Sequence, residues 1–224
     1  MNLSIVYRLV LKDWYLQRLS ILIALAGGLL GMGVVATGSS ASFILGAIAL
    51  VTVIIAFGAN NAIATMVNER KEQTLPFVMS LPISYREYTA SKILGHLILF
   101  LIPWLLITLG SLAMLWISPD HKHGMIPYVA IMATEMLVGS CLIATVALIT
   151  ESQPWTVACI MVGNVAFNIV GYIVAHIPSI ARTLFGATLQ WNAASVGILL
   201  AEFAAAALML TLTFVFQARK KDFL

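Results

Sequence analysis

Ile93-Leu-Gly-His-Leu-Ile-Leu-Phe-Leu-Ile-Pro-Trp-Leu-Leu-Ile-Thr-Leu-Gly-Ser-Leu-Ala-Met-Leu-Trp-Ile117 contains no charged side chain. As a helix rising about 1.5 Å per residue, it is long enough to cross the roughly 30 Å hydrocarbon layer of a bilayer. A lipid-exposed backbone must satisfy its own hydrogen bonds, which leaves helices or a closed barrel. Strict two-residue alternation is absent here, so the helix is the reading. The pattern recurs at 19–38, 43–67, 127–149, 156–177 and 194–217. Together with 93–117 these predict an all-α polytopic membrane protein with six transmembrane helices in one domain spanning 1–224.

Composition agrees. Hydrophobic residues make up 61% of the chain and charged residues 9%, with a mean hydropathy of +1.01. A soluble domain carries roughly 25% charge, so a water-facing surface of this size is excluded. The net charge of +3 reads as topology, and no nucleic-acid partner is implied. Cys141 and Cys159 both lie in apolar runs, so neither a disulfide framework nor a Cys/His metal site is indicated.

Ten of the twelve basic residues fall on one side of the predicted spans: Arg8, Lys12 and Arg18, then Arg70, Lys71, Arg86 and Lys92, then Arg219, Lys220 and Lys221. Only Lys122 and Arg182 lie opposite. By the positive-inside rule both termini face the cytoplasm, in a cytoplasmic (inner) membrane. Trp116, Tyr128 and Trp191 then mark the outer interface, and Trp14, Tyr15 and Trp155 the inner one. Ala24-Leu25-Ala26 looks like a signal-peptide cleavage site, but the apolar run continues to Ala36, so the first span is expected to remain. Residues 1–18 are expected to form an interfacial helix, with Ile5, Val6, Leu9, Val10 and Leu16 toward the acyl chains. A plain charged tail is the other reading. Outside, 39–42 is expected to be a tight turn, 118–126 a modest loop, and 178–193 a longer segment on or in the outer leaflet.

The cytoplasmic segment 68–91 differs in kind. Asn68-Glu-Arg-Lys-Glu-Gln-Thr-Leu-Pro-Phe-Val-Met-Ser-Leu-Pro-Ile-Ser-Tyr-Arg-Glu87 carries six charges and two helix starts. Thr74 is placed as an N-cap with Pro76 in the first turn, where its missing N–H costs nothing. Ser84 and Glu87 match a capping box opening the helix that continues through Lys92. Between them the apolar Leu75, Phe77, Val78 and Met79 form a short amphipathic helix ended by Pro82. Such a patch lies on lipid or plugs into a cytoplasmic partner.

Glu69-Arg70, Thr74-Leu75, Ser80-Leu81-Pro82-Ile83-Ser84, Arg86-Glu87 and Lys92 resemble the coupling segment of ABC-2 type permeases, the six-span membrane subunits of ATP-driven exporters. Gln73 stands where that pattern has glycine, and Tyr85 where arginine is common, which leaves the start of the coupling helix open. The resemblance implies a separate cytoplasmic ABC ATPase that binds ATP and Mg, a second permease chain (identical or different), and no cofactor in this chain. It also implies that Glu69, Arg70, Thr74, Leu75, Phe77, Met79, Leu81, Pro82, Ser84, Arg86 and Glu87 form the ATPase-coupling segment. No Gly-x-x-x-x-Gly-Lys-Ser/Thr loop occurs, so the chain is not expected to be an enzyme.

Polar residues inside the spans are costly and therefore informative. Glu135 and Glu202 either line the translocation path or bind a cationic group of the cargo; the alternative is a protonated carboxyl held between helices. Asn164 and Asn168, one turn apart, serve as interhelical glue or as pore lining. Asn60 and Asn61 have the same ambiguity, and Gly27-x-x-x-Gly31 lets another helix approach closely. His121 and His123 supply too few ligands for a metal site. Two rivals to an exporter subunit remain: an ion-coupled secondary transporter or channel using Glu135 and Glu202, and a membrane enzyme or immunity-type binding protein. The cargo itself is not encoded in any recognisable motif.

Overall fold

A computed structural model describes residues 3–71, 84–117 and 123–217. Helix α1 (Leu3–Ala36) runs unbroken for 34 residues, so the boundary expected at residue 18 is absent. The reason lies in the sequence: no glycine or proline occurs before Gly27 to stop the helix. One row of side chains, from Val6 through Asp13, Gln17, Ile21, Ala24 and Gly28 to Gly31, is buried along its whole length. Residues 3–18 are thus the outlying arm of the first span.

The turn to α2 (Ser40–Ala62) is tighter and earlier than expected. Gly38 adopts φ +83, a conformation glycine reaches without steric cost. Ser39 caps α2, its Oγ accepting from the Ser42 backbone N–H while Ser42 Oγ accepts from the Ser39 N–H. This second capping box places Ser40–Ser42 inside the helix. α1 and α2 then pack as a hairpin through small residues. A Cβ on Gly46 would stand 2.8 Å from the Gly31 carbonyl oxygen, and one on Gly27 2.9 Å from Val53. The first-span glycine pair therefore serves α2. Gly28, one position on, admits Ile107 of the next span.

α2 continues through a π-helical turn (Ile63–Val67) into the short α3 (Asn68–Lys71). Next among the described elements come α4 (Tyr85–Ile117), a 3₁₀ turn (His123–Met125) and α5 (Ile126–Thr150). Glu151, with φ 50, closes α5 by donating its N–H to the Ala147 carbonyl at 3.0 Å, and α6 (Gln153–His176) follows at once. The chain ends its described part with the short α7 (Pro178–Ala181) and with α8 (Ala193–Gln217). Six of these helices are long and apolar enough to cross a membrane.

Packing organises them in two groups. α1 packs on α2 and α4, while α5 packs on α6 and α8, and α4 joins the groups through its contacts with α5. The joint holds Leu99, Phe100, Trp104, Ile107, Leu137 and Cys141, and Trp104 Nε1 donates to the Ala133 carbonyl at 2.7 Å. Since lipid tails are as apolar as these side chains, close packing and hydrogen bonds hold such a bundle together. The 178–193 segment folds back on the ends of α5 and α6. Ile180 packs with Ile131 and Val174, and the Gly124 N–H donates to the Gly186 carbonyl. Phe185 and Trp191 remain exposed on it.

Candidate functional site

The two described edges of the 68–91 segment, α3 and the start of α4, meet the outlying arm of α1. Lys92 Nζ lies 3.1 Å from Asp13 Oδ2 and 2.7 Å from Glu69 Oε1. Lys12 pairs with the same Glu69 oxygen and stands 3.5 Å from Asp13 Oδ1. Tyr88 O–H donates to Glu69 Oε2 at 3.3 Å, and the Lys92 ammonium sits 5.7 Å from the centre of the Tyr88 ring. Asp13 and Lys92 are 3% and 2% exposed, so these charges are compensated by one another in place of water. Burial pushes the Glu69 carboxyl up, but the two ammonium groups beside it outweigh that and hold it below its ordinary value of 4.5.

Local sequence explains the convergence. Ser84 caps α4 as expected: its backbone N–H and its hydroxyl both donate to Glu87 Oε2, at 2.9 and 2.8 Å. That start sets the phase of α4, so that Tyr88, Lys92, His96 and Phe100 recur every fourth residue along one face. The π-helical turn at Ile63–Val67 adds residues to the end of the second span without a break. It delivers Glu69 to that face; such turns are frequent at functional sites. Arg86 and Ser84 are exposed. Thr74, Leu75, Phe77, Met79, Leu81 and Pro82, with the side chain of Arg70, lie outside the described residues, as does His121.

One turn deeper, three buried polar residues from separate helices join. Asn61 Nδ2 lies 3.1 Å from both His96 Nδ1 and the His96 carbonyl, and His96 Nε2 lies 2.9 Å from Ser140 Oγ. With the Asn61 amide donating, Nδ1 is the acceptor and Nε2–H the donor to Ser140. His96 also stacks on Phe100, with ring planes 7° apart. Sequence reasoning left His96 alone and missed both Ser140 and Asp13. Thr65 closes the group by donating its hydroxyl to the Asn61 carbonyl.

Beyond Ser140 and Phe100 the bundle opens into a pocket, lined also by Glu135, Gly139, Gly163 and Asn164. Of the four expected path residues, it brings together Glu135 and Asn164. Asn168 turns its amide to the Asn164 carbonyl within its own helix, and Glu202 lies on α8, buried, with no hydrogen-bond partner for its Oε2 among the described residues. Glu202 nevertheless shares the level of Glu135. α5 and α8 run parallel, and Thr213 donates to Thr145 and Gln217 to the Leu148 carbonyl, at sequence offsets of 68 and 69. Glu135 and Glu202 differ by nearly the same offset, 67.

His123 is placed against Trp116, stacking at 5.0 Å and approaching its carbonyl oxygen at 3.1 Å. Among the described residues no group of three or more His, Cys, Asp or Glu side chains could hold a metal ion.

Comparison with curated proteins and with solved structures returns no match. The family model described as "ABC-2 family transporter protein" matches residues 8–175, three quarters of the chain, from the arm of α1 to the end of α6. The chain therefore belongs to the ABC-2 transporter family, as a multi-pass membrane subunit of an ABC transporter.

Proposed function

We propose that this chain is the permease of an ABC exporter, moving cargo out of the cytoplasm with ATP hydrolysed by a separate subunit. Two permease chains assemble with two ATPases, which bind the ATP and Mg. The end of the bundle bearing Lys12, Glu69 and Lys92 faces the cytoplasm, in an inner membrane. Residues 69–87 are the element on which the ATPase pushes, and Leu75, Phe77, Met79 and Arg86 are its contacts.

One observation carries this reading. Asp13, Lys92, Glu69 and Lys12 tie both edges of the coupling segment to α1. A force applied between residues 72 and 83 thus reaches the first three spans together, and does not dissipate in a loop. Closure of the ATPase pair tilts α1, the second span and α4 against α5, α6 and α8, so the path between two permease chains alternates its opening.

Co-purification of the tagged chain from native membranes tests it. An ATPase subunit is expected to accompany the chain, and Arg86→Glu combined with Phe77→Asp is expected to release it while the permease still elutes as a folded species. A chain that purifies alone, or a double variant that keeps its partner, ends the assignment. Transport that collapses with a protonophore and ignores ATP depletion would instead support an ion-coupled carrier built on Glu135 and Glu202.

A further inference from the structure

Helix α6 is the least buried of the six spans and packs chiefly on α5. Most of its outward face suits lipid: Met161, Val162, Val165, Ile169 and Tyr172 are each more than half exposed. Two residues break that face. Asn164 and Asn168 are both exposed, and Asn164 is the twelfth of the helix's 24 residues. It therefore sits about 17 Å from either end of the helix, at the deepest level a bilayer offers.

Hydrogen bonding marks the outward pair as unfinished. Thr52 and Thr211, also exposed on spans, donate their hydroxyls to carbonyls of their own helices. Asn168 does the same with one amide hydrogen, to the Asn164 carbonyl at 2.8 Å. The Asn164 carboxamide makes no hydrogen bond among the described residues. The inward Asn61, by contrast, is fully buried and donates to His96. A carboxamide facing hydrocarbon forfeits the hydrogen bonds that water would give it, so something other than lipid covers Asn164. Beside it, a Cβ on Gly163 would meet nothing within 4 Å, which leaves room for another helix to come close.

We propose that α6 is the contact between two copies of this chain, with Asn164 facing its own counterpart across a two-fold axis along the membrane normal. A carboxamide both donates and accepts, so it is complementary to itself. Two copies inserted the same way, related by such an axis, bring every residue back to its own depth. Reciprocal carboxamide bonds at one level then fix the register of the two helices, as a single asparagine does in a coiled coil. The flanking Met161, Val165 and Ile169 are exposed and apolar, which suits packing against a helix and not the lining of a water-filled channel. As an account of the transporter's second permease this rests on the export reading; as a contact between copies it does not.

The test uses the full chain in native membranes, with Cys141 and Cys159 replaced by alanine and one cysteine introduced at a time. Under copper–phenanthroline oxidation Asn164→Cys is expected to give a disulfide-linked dimer of this chain. Leu208→Cys, exposed near the middle of α8, is expected to give none. No link at 164 overturns the proposal, whether the introduced thiol reacts with a water-soluble maleimide (a water-lined path) or stays unreactive (lipid). Equal linking at both positions, or a link to a different permease, overturns it too. In liposomes, energy transfer between labelled full chains should show Asn164→Leu self-associating about tenfold more weakly, with most of the loss restored in Asn164→Gln. Unchanged self-association in Asn164→Leu means that the carboxamide is not the contact. If an ATPase accompanies the chain and no link forms at 164, the contact fails and the export reading stands. If the link forms and no ATPase accompanies the chain, the export reading fails and the contact stands.

Discussion

Two groups of buried charge sit at different depths of one bundle and are treated in opposite ways. Where α3 and the start of α4 meet α1, Asp13 and Glu69 face Lys92 and Lys12, and each oxygen described has a cation or a hydroxyl near it. At mid-bundle, Glu135 and Glu202 share a level, and among the described residues no basic side chain pairs with them and one Glu202 oxygen has no hydrogen-bond partner. The first group is complete within the chain and suits transmission, since its geometry is over-determined. The second is incomplete among the described residues, so its carboxyls are not fixed by paired charge. Burial of charge alone therefore does not separate structure from function; its compensation does.

The largest effect should come from breaking the complete group. Lys92→Met leaves Asp13 and Glu69 buried with one cation fewer, a loss of about 3–5 kcal/mol by analogy with other broken buried pairs. Thermal unfolding in detergent should show it as the deepest fall among these variants. Adding Asp13→Asn should restore part of the loss, because the uncompensated carboxylate is then gone. A double variant as unstable as the single one would mean that the cluster is not acting as paired charge.

A smaller effect follows from pH. Glu69 is held below its ordinary 4.5 in the folded chain, so its contribution is fully present above that pH. It is lost as pH falls through the lower, folded-state value. Melting temperature should therefore drop on acidification below about pH 4.5, and part of that dependence should vanish in Glu69→Gln. An identical acid limb in the variant would contradict the pairing with Lys92 and Lys12.

The smallest change is expected at mid-bundle. Glu202→Gln removes a carboxylate that no cation compensates among the described residues, so stability should hold or rise. A large fall would show that Glu202 is held by a partner, and the contrast between the two groups would disappear.

Most of the fold could be read from the chain because lipid imposes so simple a rule. Each span is an apolar run of the right length, and all six end within a few residues of the observed helices except where α1 extends to Leu3 and α4 to Tyr85. The Ser84–Glu87 capping box was equally readable, since cap and reach-back residue lie three apart. The sites were harder. Asp13 looks like one more charge on a solvated arm, and only the approach of α4 reveals it as the partner of Lys92. Asn61, His96 and Ser140 meet across sequence separations of 35 and 44, distances that no local spacing encodes. Glu135 and Glu202 stand out singly as acids in apolar runs, but their shared level depends on the parallel packing of α5 and α8.

The uninterrupted α1 also has a mechanical meaning. Gly28 rests on Ile107, about 38 Å along the axis from Leu3 but only about 12 Å from Ala36. Tilted about that contact, α1 is a lever with unequal arms, geared down roughly threefold from Leu3 to Ala36 and roughly twofold from Asp13, about 22 Å from the contact. A stroke of several ångströms delivered at Asp13 becomes a small, stiff displacement of the α1–α2 hairpin on the far side. Such gearing trades distance for force, which suits the helix movement that the proposed permease role calls for.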